Sequence, residues 1–222
     1  MRHDAKDVPS SPAGPLRSSP PAVALRCPMP IKAEMPIPLP TRPASAQGLA
    51  ELVIDAQHFQ KIVLEGITVA KVSVDIATAD FKAMLVPTGG RRKAQSIVTV
   101  LRNLAQKGVE IRLLHAGVPS SAALLELKKG LPDKMSIRRC PRLHAKTVVI
   151  DARAVYLGSA NLTGAGLGAK ADGRRNFEWG VWSQSPPMID AVLDEFNALW
   201  AGQQCDSCKR KDVCPVPLEE PS

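Results

Sequence analysis

The chain has 222 residues and a formal net charge of +8, since 29 Lys and Arg outweigh 21 Asp and Glu. This length favours one folded domain with appendages over several domains. The opening residues are charged, with Arg2, His3, Asp4 and Lys6 unlike a secretory signal, and no apolar run approaches the roughly 18 residues of a membrane span. We therefore expect a cytoplasmic protein rather than a secreted or membrane-embedded one.

The chain divides into three predicted parts. Residues 1–46 form a tail: 11 of the 20 prolines lie within residues 1–43, with few aromatic residues and no periodicity, which is typical of disorder. Residues 47–204 form the predicted folded body. Residues 205–222 form a C-terminal tail that carries cysteines.

The body alternates between predicted strands and helices. In chain order the patterns indicate a strand over 71–77, a helix over 95–106, a strand over 109–114, a helix over 120–129, strands over 146–150, 154–157 and 177–183, and a helix over 187–200. Such alternation predicts an α/β fold in which helices flank a mixed sheet. Aromatic residues are scarce, which disfavours a surface of stacking platforms for single-stranded nucleic acid. The three tryptophans, Trp179, Trp182 and Trp200, are expected in the core.

The densest concentration of chemistry lies in residues 144–161. Reading along this stretch, the polar and glycine positions are His144, Lys146, Asp151, Gly158, Ser159 and Asn161. On a strand, His144 and Lys146 share one face and Asp151 points to the other. Asp151 is therefore interpreted as a support for the following turn, and the turn that begins at Gly158 would bring Ser159 and Asn161 back towards the first pair.

These residue types suit phosphoryl transfer. Lys146, Ser159 and Asn161 can donate to the charged non-bridging oxygens of a phosphate. His144 can act as a covalent nucleophile, which requires a neutral ring with a fixed tautomer. Glu178, a lone carboxylate on the predicted strand over 177–183, is the candidate that fixes it.

The spacing His-x-Lys, four residues, Asp, six residues, Gly-Ser-x-Asn resembles, position for position, the signature of the phospholipase D superfamily. The resemblance implies that superfamily's fold, and residues 71–82 resemble its first core strand. It further implies attack of His144 on a phosphodiester without a catalytic metal, and it supports the role of Glu178. The signature occurs once here, whereas a complete site in that superfamily needs two, which implies a homodimer.

The charge distribution favours nucleic acid as the substrate. Residues 47–204 contain 20 Lys and Arg against 14 Asp and Glu, which leaves +6 on the body. The predicted contacts to the nucleic-acid backbone are Arg91, Arg92, Lys93, Arg142, Arg174 and Arg175.

Two alternatives to a nuclease stay open. One is an enzyme that acts on phospholipids. The other is a non-catalytic nucleic-acid-binding subunit of a larger complex, since the small single-motif chain is broadly similar to the phospholipase-D-like accessory proteins of DISARM-type phage-defence systems.

Three of the five cysteines, Cys205, Cys208 and Cys214, form a C-x2-C-x5-C pattern after the last predicted helix. Thiolates two residues apart can chelate one ion. The pattern resembles the C-terminal cysteines of certain RecB-type nucleases, which close an iron–sulfur cluster. We expect a structural zinc ion or iron–sulfur cluster with Cys140 as the fourth ligand, while Cys27, His58 and His115 are alternatives.

Overall fold

The computed structural model describes residues 50–87, 94–210 and 212–214. The predicted N-terminal tail (residues 1–46) and three of the predicted nucleic-acid contacts, Arg91, Arg92 and Lys93, lie outside the described residues, as does Cys27.

A seven-stranded mixed sheet forms the centre of the fold, with the strand order β1-β9-β8-β7-β2-β5-β6. Its strands are β1 (Ala50–Ile54), β2 (Ser73–Thr78), β5 (Glu110–His115), β6 (Met135–Arg139), β7 (Thr147–Ile150), β8 (Ala154–Gly158) and β9 (Trp179–Ser183). The pairs β2/β5 and β5/β6 are parallel, and the remaining neighbours are antiparallel. A separate two-stranded ladder joins β3 (Leu85–Val86) to β4 (Gln95–Ser96).

Helices cover both faces of the sheet. They are α1 (Ile97–Gln106), α2 (Ser121–Leu127) and α3 (Pro186–Trp200), with a π-helical segment at Phe59–Leu64 and short 3-10 helices at Ile67–Val69 and Asp172–Arg174. The apolar stripe of α1 packs on one face of the sheet in the main core cluster. On the opposite face, α3 packs Ile189 against Val149 and Val155, and Phe196 packs with Leu114.

The predicted α/β fold with helices flanking a mixed sheet is confirmed, and each predicted strand and helix overlaps an observed one. Ser96 and Ser120 are the N-cap residues of α1 and α2. Their side chains accept hydrogen bonds from Val98 N (3.2 Å) and Ala123 N (3.4 Å) in the first turn of each helix. Two strands of the main sheet, β1 and β6, were not predicted, and neither were the short strands β3 and β4 of the separate ladder.

In the part of the chain that the structure describes, no helix is both long and apolar enough to cross a bilayer.

Candidate active site

His144 and Lys146 lie together on the segment that leads into β7. His144 is exposed, whereas Lys146 is buried, and Lys146 Nζ lies 3.1 Å from His144 Nδ1 and 3.2 Å from Nε2. Nζ also donates to His144 O at 2.8 Å, which fixes the ammonium beside the ring. Burial lowers the pKa of Lys146, and the charge of Glu178 opposes this shift. The pair therefore presents an accessible imidazole over a partly desolvated cation, which suits binding of a phosphate oxygen next to a nucleophile.

Glu178 and Ser159 form the second half of the site. Glu178 lies just before β9 and is 6% exposed. Its carboxylate accepts a short hydrogen bond from Ser159 Oγ and another from Asn176 Nδ2 at 2.9 Å. Glu178 is thus hydrogen-bonded to Ser159 and Asn176 rather than to His144. Its predicted role as the partner of the imidazole stays a prediction.

Asp55 holds Glu178 in place from the end of β1. Glu178 N donates to Asp55 Oδ1 at 2.9 Å, and Asp55 N donates back to Glu178 O at 2.8 Å. Asp55 has a φ of 47°, a left-handed conformation that Asp tolerates better than most residues. Sequence reasoning missed this residue, and its local signal is no more than a polar residue directly after three apolar ones, Leu52 to Ile54.

Asn161 is anchored by the end of β2. Its Oδ1 accepts from Asp80 N at 3.0 Å and from Thr78 Oγ1 at 3.2 Å. Thr78 Oγ1 in turn accepts from Leu162 N at 3.0 Å. Two consecutive residues of the loop after β8, Asn161 and Leu162, are therefore hydrogen-bonded to the end of β2. With its oxygen engaged, Asn161 retains its NH2 group as the donor that a phosphate could use.

Asp151 lies at the opposite end of β7 from His144. Its carboxylate accepts from the backbone amides of Lys71 (3.0 and 3.1 Å), Val72 (2.7 Å) and Ser73 (3.0 Å). Burial alone would raise its pKa, but the bonds from Ser73, Val72 and Lys71 lower it below the usual value. The structure therefore places Asp151 at the start of β2, where it joins two central strands.

Gly158 is required by a close approach of two strands. It pairs with Gly180 of β9, and a Cβ at Gly158 would lie 2.7 Å from Gly180 Cα and from Trp179 O and would also clash with the Tyr156 hydroxyl. That hydroxyl accepts from Ala160 N at 3.1 Å, and burial raises the pKa of Tyr156 to about 12. The two glycines leave room for the tyrosine under the turn that carries Ser159.

A cleft of about 690 Å³ opens beside His144. Arg142, which is exposed, lines it together with Arg138 and Arg139. Both of the latter also have structural contacts: Arg138 stacks on Trp200, and Arg139 Nε donates to Ala116 O at 3.0 Å. Among the three arginines that line this cleft, Arg142 is therefore the best placed to contact a ligand.

The other described basic residues of the prediction lie on the loop before β9. Arg174 is exposed at the end of a 3-10 helix, and Arg175 forms an ion pair with Asp172. Their predicted contact with nucleic acid stays a prediction.

The four cysteines predicted as metal ligands, Cys140, Cys205, Cys208 and Cys214, line the same cleft as His144. The two alternative histidine ligands lie elsewhere. His58 Nδ1 donates to Asp55 O at 2.8 Å, and its ring packs edge-on against Tyr156. His115 Nδ1 lies 2.8 Å from Gly117 O, and it does not line the cleft.

An exposed apolar surface, here called the apolar face, adjoins the site. It consists of Leu52, Ile54, Leu157, Phe177 and Trp179. Leu157 pairs with Thr147 of β7, and Leu52 pairs with Val181 of β9, so the surface runs from the edge strand to the segment after Lys146. Trp182 is buried as predicted, but Trp179 is 71% exposed. The prediction of a buried Trp179 is wrong, because its side chain is on a part of the sheet face that remains solvent-accessible beside α3.

At the start of β7, the central strand of the mixed sheet, a buried cation thus lies beside an exposed histidine. The family model described as "Cardiolipin synthase, PLD-like domain" matches residues 63–200, which is more than half of the chain. The chain therefore belongs to this family and is a member of the phospholipase D superfamily of phosphodiesterases, as predicted.

Two solved structures share the fold. Nuc from Salmonella typhimurium, a phospholipase D family member, is 20% identical, with a TM-score of 0.51 over 68% of this chain and 93% of that chain. NucT from Helicobacter pylori is 15% identical, with a TM-score of 0.52 over 68% of this chain and 95% of that chain. No curated protein matches the sequence.

Proposed function

We propose that this protein is a metal-independent nuclease that hydrolyses phosphodiester bonds of DNA or RNA through a phosphohistidine at His144, in an active site shared by two identical chains. The observation that carries the proposal is the exposed His144 ring held at 3.1–3.2 Å from the buried Lys146 ammonium.

The reaction is written in two displacements. A ring nitrogen of His144 attacks phosphorus, the P–N bond forms, and the P–O bond to the leaving group breaks as the partner's His144 protonates the departing oxygen. Water then attacks phosphorus, the P–N bond breaks, and the partner's His144 takes the proton from the water. Lys146 and Asn161 would donate to the non-bridging oxygens in both steps, and Ser159 would do so once its hydroxyl turns away from Glu178. The reaction needs no metal ion, so it should continue in EDTA.

Dimerisation is supported by the apolar face. Each chain carries a single copy of the motif, so the second histidine has to come from another chain. Large apolar side chains that share one exposed surface are typical of a protein interface. The apolar face reaches Thr147, the first residue of β7, which lies three residues after His144 in the chain. In a twofold dimer each histidine could then meet its symmetry mate near the axis.

Trp179→Asp is the variant that tests the interface. A buried charge without a partner destabilises an interface, so we expect a monomer by light scattering and a loss of activity. Leu125→Asp is the matched control, because Leu125 is 66% exposed on α2, away from the apolar face, against 71% for Trp179. A wild-type protein that is monomeric at assay concentration would overturn the shared site.

Mixing experiments test whether one site uses two histidines. We expect His144→Ala to abolish cleavage. When wild-type and His144→Ala chains are co-expressed in equal amounts, a site built from both chains retains about one quarter of the activity, because only the wild-type pair is competent. Independent sites would retain about one half. Mass spectrometry of protein quenched at alkaline pH should show a phosphoryl adduct on His144 in the wild type.

The substrate class is supported by charge. The body carries +6, and Arg142 lies exposed in the cleft beside His144. The assay offers labelled single- and double-stranded DNA, RNA and phosphatidylcholine, each with and without EDTA. EDTA-resistant cleavage of DNA or RNA agrees with the proposal, whereas turnover of phosphatidylcholine alone would assign the site to lipids. Salt-sensitive nucleic-acid binding without turnover would indicate the non-catalytic subunit instead.

A further inference from the structure

The segment after α3 folds back onto the end of β6 and brings four cysteines into one cleft. Cys140 follows β6 directly, while Cys205, Cys208 and Cys214 lie beyond α3, more than 60 residues later in the chain. All four line the cleft of about 690 Å³, and all four are free thiols.

Backbone contacts hold this segment in place. Arg139 Nη1 donates to Val213 O at 3.3 Å, and Arg210 Nη1 donates to Pro141 O at 3.1 Å. Cys214 Sγ donates to Arg139 O at 3.9 Å, which places it beside the residue that precedes Cys140. The segment thus contacts both neighbours of Cys140 in the chain.

The thiols form two pairs. Cys214 lies beside the backbone next to Cys140, and Cys205 and Cys208 are joined by a turn in which Cys208 N donates to Cys205 O at 3.1 Å. A metal ion binds cysteine as the thiolate, so one ion shared by the four thiols would link the end of β6 to the segment after α3.

We propose that Cys140, Cys205, Cys208 and Cys214 together bind one structural Zn²⁺ ion. Four cysteines, two of them separated by two residues, suit a tetrahedral zinc site. In such a structural site the protein supplies all four ligands, and no coordination position is open to water or substrate. Within residues 50–87, 94–210 and 212–214, no group of three or more His, Cys, Asp and Glu side chains is already arranged to hold a metal ion. Binding of the ion would therefore require the four thiols to turn towards one another, and Cys205 is exposed while the other three are partly exposed.

The ion would clamp the segment that carries the candidate nucleophile. His144 lies four residues after Cys140 and lines the same cleft, and the intervening segment has one backbone turn bond, from Leu143 N to Cys140 O at 2.9 Å. Zinc at Cys140 would fix the start of this segment and tie the C-terminal tail to it. Its role is to position His144, and it takes no part in bond breaking.

Metal content of the full-length protein, purified without chelator, is the direct test. We expect about one zinc per chain in the wild type, as one closed tetrathiolate site requires. Cys140→Ser and Cys214→Ser should lose most of the bound zinc. Cys27→Ser is the matched control: it removes the fifth cysteine of the chain, and it should retain zinc at the wild-type level.

Measurements on the wild type keep the test decisive if a variant fails to fold. A mercurial thiol reagent should release zinc in step with modification of four thiols, and Co²⁺ exchanged into the site should show the visible spectrum of a tetrahedral tetrathiolate complex. If the purified protein contained iron and acid-labile sulfide instead of zinc, the site would hold an iron–sulfur cluster and the proposal would be overturned. It would also be overturned by a disulfide among these cysteines, or by metal-free protein in which the four thiols react at the rate of Cys27. None of these readouts depends on nuclease activity, so they are independent of the proposed function.

Discussion

Asp151→Asn should weaken the fold while leaving the chemistry at His144 in place. The wild-type carboxylate accepts from three consecutive amides, those of Lys71, Val72 and Ser73, at 2.7–3.1 Å. Oδ1 accepts from all three amides and Oδ2 from Lys71 alone, so an asparagine can keep its oxygen in the Oδ1 position. It loses the negative charge, and its NH2 group cannot accept from the Lys71 amide.

The size of the effect follows from the exposure of these amides. A hydrogen bond to a charged group contributes about 1.5–3 kcal/mol, against about 0.5–1.5 kcal/mol for a bond between neutral groups. Lys71 and Val72 are exposed, so water can offset much of the weakening of their bonds, whereas Ser73 is half-buried and its bond weakens with little compensation. We expect a loss of about 2 kcal/mol in the free energy of unfolding, which lowers Tm by roughly 4–8 °C in a chain of this size.

The pH dependence gives a second signature. Because the folded-state pKa of Asp151 is lowered, its carboxylate stabilises the protein fully above the unfolded value of about 3.9, and this stabilisation is lost as pH falls through the folded-state pKa. The stability gap between wild type and variant should therefore be constant from about pH 8 to 5 and close at lower pH.

Urea unfolding followed by circular dichroism measures the gap, with Asp190→Asn as the control. Asp190 is exposed on α3, and its replacement should change stability by less than about 0.5 kcal/mol. Well below Tm, Asp151→Asn should hydrolyse a phosphodiester substrate within a few-fold of the wild-type rate. A variant of wild-type stability that has lost this activity would refute the scaffold role.

Two further perturbations test the packing around the site. Gly158→Ala should cost about 1–3 kcal/mol by overpacking against Tyr156, whereas Gly173→Ala, with no heavy atom within 4 Å of the new Cβ, should change stability by less than about 0.5 kcal/mol in the same unfolding assay. Arg112→Met should cost about 3–5 kcal/mol, because Asp75, whose side chain is 5% exposed, loses the guanidinium 2.6 Å away. Adding Asp75→Leu should restore much of that loss; an Arg112→Met variant with wild-type stability would show that this pair is not needed.

The elements predicted correctly are those whose local pattern agrees with their burial. The helix α1 carries its buried residues at helical spacing and begins after a serine cap. The strand β1 was missed because Val53 is its one buried residue, so no alternation of apolar and polar residues marks it. Its strand conformation comes from pairing with β9, more than 120 residues away in the chain.

The features of the candidate site also differ in whether they depend on local spacing or on contacts between distant parts of the chain. The prediction that His144 and Lys146 form a pair and that Asp151 supports the fold depends on the alternation of side chains along a strand, which is local geometry. The support of Glu178 by Asp55 could not be predicted, because these residues are 123 positions apart. Trp179 was misplaced because an apolar residue on a strand is buried only where another layer covers it.

The sequence by itself therefore determined the residue types and spacing of the motif, most of the succession of strands and helices, and the family, all of which depend on local spacing along the chain. The tertiary structure decided which distant groups meet. The sheet order places β2 against β7, which brings the amides of residues 71–73 to Asp151 and Thr78 to Asn161. It also brings Cys140 into one cleft with the cysteines beyond α3, and it leaves the apolar face uncovered. These contacts depend on strand pairing and layer packing over long chain separations, where local periodicity carries no information.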